Sequence, residues 1–318
     1  MTAPAGAVTP PIAEFRNVTK WYGPVIGVND ISLAIEPGIT GLLGPNGAGK
    51  TTTIHLLTRQ LKPSLGKVLV GRHAAFSAAA KRRIGYCPDV DTFYEEMSGR
   101  RFVRMMAQLH GMTAAVARER ADHALEHVGM ADRADRRLRG YSKGMRQRIK
   151  LAQALVHDPD MLIVDEPLNG VDPVGRRELM ELFRQFREQG KAVLVSSHIL
   201  DEMETLADRV VFMGRGRIVA IGALAEIRSM LDEYPLHVRI RAPDVRKVAV
   251  ELVQWPLIRS VDLRSDAELS AEVLRPDDFF RQFARYVADS ATDIDALETT
   301  DQSAEAIFEY VMNASRKF

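Results

Sequence analysis

Short, almost unbroken apolar runs alternate with longer amphipathic stretches along most of this chain. Ile39–Leu43, Met161–Val164 and Ala192–Val195 are apolar at nearly every position, the pattern of strands covered on both faces of a sheet. Between them, Gly49–Leu61, Arg101–His110, Ala114–Val128, Met145–Val156 and Arg176–Gln189 carry apolar residues at helical spacing. Strands alternating with helices predict an α/β fold around a mostly parallel sheet. Val68–Val70 and Ile84–Tyr86 are shorter and are expected in a second sheet layer. From about Ser98 to His157 the pattern is helical with few strand-like runs, so this segment is expected to be a helical insertion. Within it, Phe102, Met105, Met106 and Leu109 share one helical face and are expected in the core.

The pattern changes near Tyr234-Pro235. Beyond it, Leu236–Arg241 alternates like a strand, Val245–Val253 and Pro276–Ala288 have helical spacing, and Ala304–Met312 is a last amphipathic stretch. Charge shifts at the same place, to a net −5 over 233–318 against +6 over 1–232. A small α+β domain over 233–318 is the expectation, beside a larger domain over 12–232 and a flexible, small-residue tail over 1–11. With 318 residues and a formal net charge of +1, nothing global draws the chain to nucleic acid or to a membrane surface. The basic run Arg133, Arg136, Arg137, Arg139, Lys143, Arg146, Arg148 and Lys150 is interrupted by Asp132 and Asp135 and lacks interleaved aromatic residues. A solvated face is therefore expected there. The single cysteine, Cys87, excludes an intramolecular disulfide framework and is expected to be a small buried residue. No stretch approaches the roughly 18–20 apolar residues that cross a bilayer.

Candidate chemistry sits where strand patterns end. Gly44-Pro45-Asn46-Gly47-Ala48-Gly49-Lys50-Thr51 follows an apolar run and opens a helical one, matching G-x-x-x-x-G-K-[ST] at every fixed position. Its glycines let backbone N–H groups turn toward phosphate oxygens, and the helix N-terminus adds positive potential. Lys50 can reach the β- and γ-phosphates, and the Thr51 hydroxyl can ligate Mg²⁺. The reading is a nucleoside triphosphate site. Met161–Val164 ends in Asp165-Glu166, where Asp165 would hold the metal and Glu166 would act on an attacking water. Ala192–Val195 ends in Ser196-Ser197-His198, placing an imidazole at the edge where ligands bind in open α/β sheets. Ser142 is a good helix N-cap for the stretch after it, making an anion site without an anion of its own.

These motifs, taken in order, resemble the nucleotide-binding subunits of ATP-binding-cassette (ABC) transporters over residues 12–232. The resemblance rests on Tyr22, Gly44–Thr51, Tyr86-Cys87-Pro88-Asp89, Tyr141-Ser142-Lys143-Gly144-Met145, Asp165-Glu166, Val171-Asp172-Pro173 and His198. It implies a P-loop ATPase with a mostly parallel core sheet, an antiparallel β subdomain and a helical subdomain over about 90–158. It implies ATP and Mg²⁺ as cofactors. Tyr22 would stack on adenine; Gly44, Asn46, Gly47, Gly49, Lys50, Thr51 and Thr52 would hold the phosphates; Glu166 and His198 would be catalytic. Ser142, Lys143 and Gly144 would address a γ-phosphate on a second ATP-binding subunit, with Asp172 at the seam.

Two stretches depart from the family pattern. Asp89 stands where Gln is usual, and Lys143 and Met145 replace the signature's usual small and polar residues. Asp89 would either ligate Mg²⁺ or repel the γ-phosphate and slow turnover. The resemblance further implies a separate integral membrane permease as partner and a cytoplasmic place on the inner face of the membrane through that permease; the surface between Asp89 and Arg101, whose Phe93, Tyr94 and Met97 would supply apolar anchors, is the expected contact. The stretches Tyr86–Asp89, Met97–Arg100 and Tyr141–Met145 resemble exporters. A soluble nucleotide-gated regulator with slow or no hydrolysis is the alternative, favoured by Asp89.

Overall fold

The structure, a computed structural model, describes residues 11–223, 226–227, 235–290 and 292–299. Residues 1–10 of the expected tail, the expected boundary at 232/233 and the helix expected over 304–312 lie outside the described residues. The chain divides into two compact units, Met1–Ile221 and Gly222–Phe318.

In the first unit, six strands form a sheet in the order Arg217–Gly222, Arg209–Gly214, Gly38–Leu43, Ala192–Ser197, Met161–Asp165, Ile84–Cys87. From Arg209–Gly214 to Ile84–Cys87 every neighbouring pair is parallel. Met161–Asp165 and Ala192–Ser197 are buried at every position, as their unbroken apolar pattern requires. Leu43 pairs with Ser197, Asp165 with Ser196, and Cys87 with Val164. The segments that follow these four strands therefore leave the sheet at one edge.

An antiparallel sheet in the order Val25–Ile35, Ala13–Tyr22, Leu65–Val70, His73–Ala74 lies in the same unit. Phe15, Ile31 and Val68 from this sheet share one apolar core with Leu42, Ile163 and Leu194 from the other. Val68–Val70 thus belongs to a second sheet, as expected, but Ile84–Tyr86 does not. It is part of Ile84–Cys87, the edge strand of the parallel sheet, beside Met161–Asp165. A four-residue run cannot announce its own neighbours. Packing fixes them: a side chain at Gly85 would strike the Ala154 carbonyl on the helix Lys143–Leu155, and His157 holds the Ile84 carbonyl at 2.9 Å.

Three helices, Gly99–Leu109, Ala114–His127 and Lys143–Leu155, pack on one another between Ile84–Cys87 and Met161–Asp165 in sequence. Ser98, Thr113 and Ser142 cap them, each side-chain oxygen accepting a first-turn N–H. Phe102 is buried, whereas Leu109 is 75% exposed; it occupies the last turn, where the shared face has run past its neighbours. Two other helix bounds are set locally. The helix after the glycine-rich loop is Lys50–Leu57 rather than reaching Leu61, since Arg59 turns to φ +68°. The helix expected from Arg176 begins at Pro173, directly after its cap Asp172.

The second unit has strands Leu236–Arg241, Ile258–Leu263, Glu268–Val273 and Ala296–Thr299, with helices Val245–Val253 and Pro276–Ser290. The sheet order, Ile258–Leu263, Glu268–Val273, Leu236–Arg241, Ala296–Thr299, with antiparallel pairing throughout, is the split βαβ arrangement. Its core is built on Val238, Ile240, Leu252, Trp255, Leu269, Phe279 and Phe283. Residues alternating with these on three of the strands make polar contacts instead: His237 with Glu272 at 3.3 Å, Arg239 with Glu268 at 3.6 Å and Arg241 with Glu298 at 3.2 Å.

Candidate active site

The loop 44–51 joins the strand Gly38–Leu43 to the helix Lys50–Leu57. Gly44 and Gly49 have φ of +154° and +105°, values that other residues rarely adopt. A Cβ at Gly44 would collide with the Met213 carbonyl, and one at Gly49 would lie 2.8 Å from the Gly27 carbonyl, while Gly47 faces open space. The loop is thus pressed against backbone on one side and open on the other. No side chain caps the helix at Gly49, so its first N–H groups remain available to an anion.

Lys50 is 7% exposed and donates to the carbonyls of Gly44 at 2.6 Å and Pro45 at 3.3 Å. Among the described residues it makes no ion pair. Burial pulls its pKa down, and the carboxylates of Glu166 and Asp165 act in the opposite sense. A buried ammonium held only by carbonyls fits a ligand that brings its own negative charge.

Asp165 is buried at the end of its strand, and its Oδ1 accepts the Ser196 hydroxyl at 2.5 Å. The same Ser196 Oγ accepts the Glu166 N–H at 3.0 Å. Glu166 sits at φ +47°, a conformation uncommon outside glycine, and its Oε2 lies 2.9 Å from His198 Nδ1. The predicted Asp165, Glu166 and His198 therefore come together through the adjacent strand ends. Ser196, which joins the Asp165 carboxylate to the Glu166 backbone N–H, was not singled out from the sequence. Its signal was a pair of hydroxyls closing a fully apolar strand.

The donor set fits a hard divalent ion. Thr51 offers a hydroxyl and Asp165 a carboxylate, all oxygen. Among the described residues no group of three or more His, Cys, Asp or Glu could hold a metal by itself, so phosphate oxygens and water would complete the shell. Asp89 is exposed. Its carbonyl accepts Lys150 Nζ at 2.7 Å, while the carboxylate that pairs with Lys150 belongs to Asp91, at 3.0 Å.

Tyr22 is 43% exposed. A Cβ at Gly27 would lie 2.6 Å from its ring, and its hydroxyl is 3.4 Å from Thr52 Oγ1. The ring is thus laid beside the start of the Lys50–Leu57 helix. Asn46 is exposed on the loop.

Ser142 is exposed and caps its helix, its Oγ accepting the Met145 N–H at 3.3 Å. Lys143 lies over Gly170, where a Cβ would meet its ammonium, and nothing lies within 4 Å of where a Cβ of Gly144 would be. Asp172 Oδ1 accepts N–H groups of Val174 at 3.1 Å and Gly175 at 3.0 Å; these bonds, Gly175 foremost, hold its carboxyl below the usual range. Among the described residues no hydrogen bond or ion pair joins Ser142, Lys143, Gly144 or Asp172 to the loop 44–51.

Phe93 packs edge-on against Phe102 at 5.1 Å, with the Arg146 guanidinium over its ring, while Tyr94 is 59% exposed. Within the basic run, Arg137 and Arg139 pair with Glu96, Arg146 with Glu95, Arg148 with Glu178 and Lys150 with Asp91. Cys87 is fully buried, and burial pushes its thiol up to about 12.

The family described as ABC transporter matches residues 28–169. The daunorubicin/doxorubicin resistance ATP-binding protein DrrA of Streptomyces peucetius is 35% identical over 268 residues, covering 83% of this chain and 81% of that protein. The ABC transporter ced-7 of Caenorhabditis elegans is 37% identical over 249 residues, 77% of this chain but 14% of that protein. Among solved structures, cbiO1 of Clostridium perfringens, part of the ABC transporter complex cbiONQ, superposes with a TM-score of 0.62 at 26% identity, covering 70% of this chain and 95% of its own. With a glycine-rich phosphate loop, a carboxylate pair at the end of the strand one removed from it in the sheet, and a relative 35% identical and matched over 81% of its length, the chain belongs to the ATP-binding proteins of ABC transporters.

Proposed function

We propose that this chain binds and hydrolyses ATP to power a separately encoded membrane permease, that it does so by ATP-dependent pairing with a second ATP-binding subunit, and that the assembly is an exporter. The observation that carries this reading is the joining of Glu166 to His198 at 2.9 Å and to Asp165 through Ser196, with the buried, carboxylate-free Lys50 in their electrostatic reach. The similarity to a drug-resistance ATP-binding protein supports export, and the similarity to one component of a multi-protein complex supports a partner on another chain. Among the described residues no helix is long and apolar enough to cross a membrane. A cytoplasmic position at the inner face of the membrane follows from this reading.

Lys50 would exchange its bonds to the Gly44 and Pro45 carbonyls for β- and γ-phosphate oxygens. Tyr22 would carry the adenine, and Asn46, Gly47 and Thr52 would line the phosphate path. Thr51 and Asp165 would hold Mg²⁺, which when bound neutralises charge on the phosphate oxygens. Glu166 would take the proton of the attacking water. His198, held beside the Glu166 carboxylate, would address the γ-phosphate. Ser142, Lys143 and Gly144 would cap a phosphate held by the second subunit, and Asp172 would sit at that seam.

The test is the size of Glu166→Gln saturated with ATP and Mg²⁺, alone and with its permease. A dimer, with ATP bound and hydrolysis lowered by at least about tenfold, is the expected result. Single molecules in both settings would overturn ATP-dependent pairing. If the chain purified from native membranes never travels with an integral membrane protein, the soluble regulator takes the place of the transporter subunit.

A further inference from the structure

A closed circuit of contacts runs behind Glu166. Its side chain meets His198 Nδ1 at 2.9 Å. Ser197, the residue before His198, donates to Glu202 Oε2 at 3.3 Å and accepts the Ile199 N–H at 3.0 Å. The other oxygen of Glu202 receives Arg176 at 2.9 Å, and Arg176 Nε donates to the Val171 carbonyl, also at 2.9 Å. From Val171 the path returns through Val171 N–H to the Leu168 carbonyl at 3.3 Å and Asn169 N–H to the Glu166 carbonyl at 3.2 Å. It leaves Glu166 by its side chain and comes back by its backbone.

An Arg–Glu pair between two helices is commonly no more than a staple. Here the helices are Pro173–Glu188 and Leu200–Leu206, and each partner commits a second polar atom to a functional segment. Arg176 grips the residue before Asp172, and Glu202 grips the residue before His198. The Glu202 side chain is 13% exposed. Burial is the main influence raising its pKa, and the charges of Glu166 and His198 both act on it. It therefore sits within electrostatic reach of the candidate base without touching it.

We infer that Arg176 and Glu202 are positioning residues for hydrolysis: they fix the Ser197-His198 turn to the loop 168–172, so that His198 stays on Glu166 and the segment carrying Asp172 moves together with it. The inference rests on the hydrolytic reading above. Neither residue touches the loop 44–51, so the effect belongs on turnover and not on nucleotide affinity.

The experiment compares kcat, KM for ATP, nucleotide affinity and melting temperature for the full chain and for Arg176→Ala, Glu202→Ala, Glu202→Gln, Arg176→Lys and the double alanine variant. Expected are a loss of about tenfold or more in kcat for either alanine variant, with KM and affinity changed less than about twofold, the split diagnostic of an interaction used only in turnover. Arg176→Lys should restore part of the loss. The double variant should be no slower than the worse single one, because both act through one contact path. If an alanine variant fails to fold, Glu202→Gln decides, since it keeps an acceptor for Ser197 and removes the charge that holds Arg176. Full turnover in a folded Glu202→Ala or Glu202→Gln overturns the inference, as does a raised KM at unchanged kcat. Hydrolysis that Glu166→Gln abolishes while the Glu202 variants run at full rate overturns the positioning role alone. Absence of hydrolysis in the unaltered chain overturns the hydrolytic reading itself.

Discussion

One hydroxyl carries much of the geometry at the carboxylate pair. Ser196 donates to Asp165 and accepts from the Glu166 backbone, whose φ of +47° places the side chain toward His198. Ser196→Ala would leave a buried carboxylate oxygen and a backbone N–H without a partner, a cost of about 1–3 kcal/mol in stability. Denaturant unfolding should show that loss, and turnover should fall with it; a variant as stable and as active as the parent would mean the bonds are dispensable. At Gly44, alanine meets both the left-handed backbone and the Met213 carbonyl. Gly44→Ala should lose most of its ATP affinity in a direct binding titration while keeping the second unit folded. The loop 44–51 was legible in the sequence because each of its residue types answers a separate physical demand of a phosphate. Ser196 was not, because its role arises from the pairing of two strands that lie about thirty residues apart in the chain and no spacing within one segment reports it.

Elements were legible where their length let a period develop. Met161–Asp165 and Ala192–Ser197 emerge where their apolar runs lie, and Val245–Val253 matches its expected bounds. The four residues Ile84–Cys87 were too few to reveal a place at the parallel edge. What holds that edge includes the His157 ring, whose Nε2–H reaches the Ile84 carbonyl and whose face stacks on His110 at 3.7 Å between centroids. Burial, foremost, and the nearby His110 lower the His157 pKa to about 4. An exposed histidine in the unfolded chain takes its proton near pH 6.5. Between those values unfolding binds a proton that the folded chain refuses, so stability falls as pH drops from about 6.5 to about 4, by about 3 kcal/mol from this group at 1.36 kcal/mol per unit. Melting temperatures across that range should slope less steeply in His157→Asn, whose amide can still donate to Ile84; an unchanged slope would place the acid sensitivity elsewhere.

At the scale of the whole chain, the charge shift near Tyr234 lies a little beyond the division into two compact units at Ile221/Gly222; charge reports surface, whereas compactness reports which apolar residues share a core. Truncation after Ile221 should leave ATP binding within about twofold of the parent in a titration. A folded truncation with no ATP affinity would show that the nucleotide site needs residues beyond that point. The split βαβ unit encloses Trp255, Phe279 and Phe283 in apolar packing of its own, which makes the junction a natural splice point. A lineage could exchange that appendage for another with a core of its own without rewriting the glycine-rich loop.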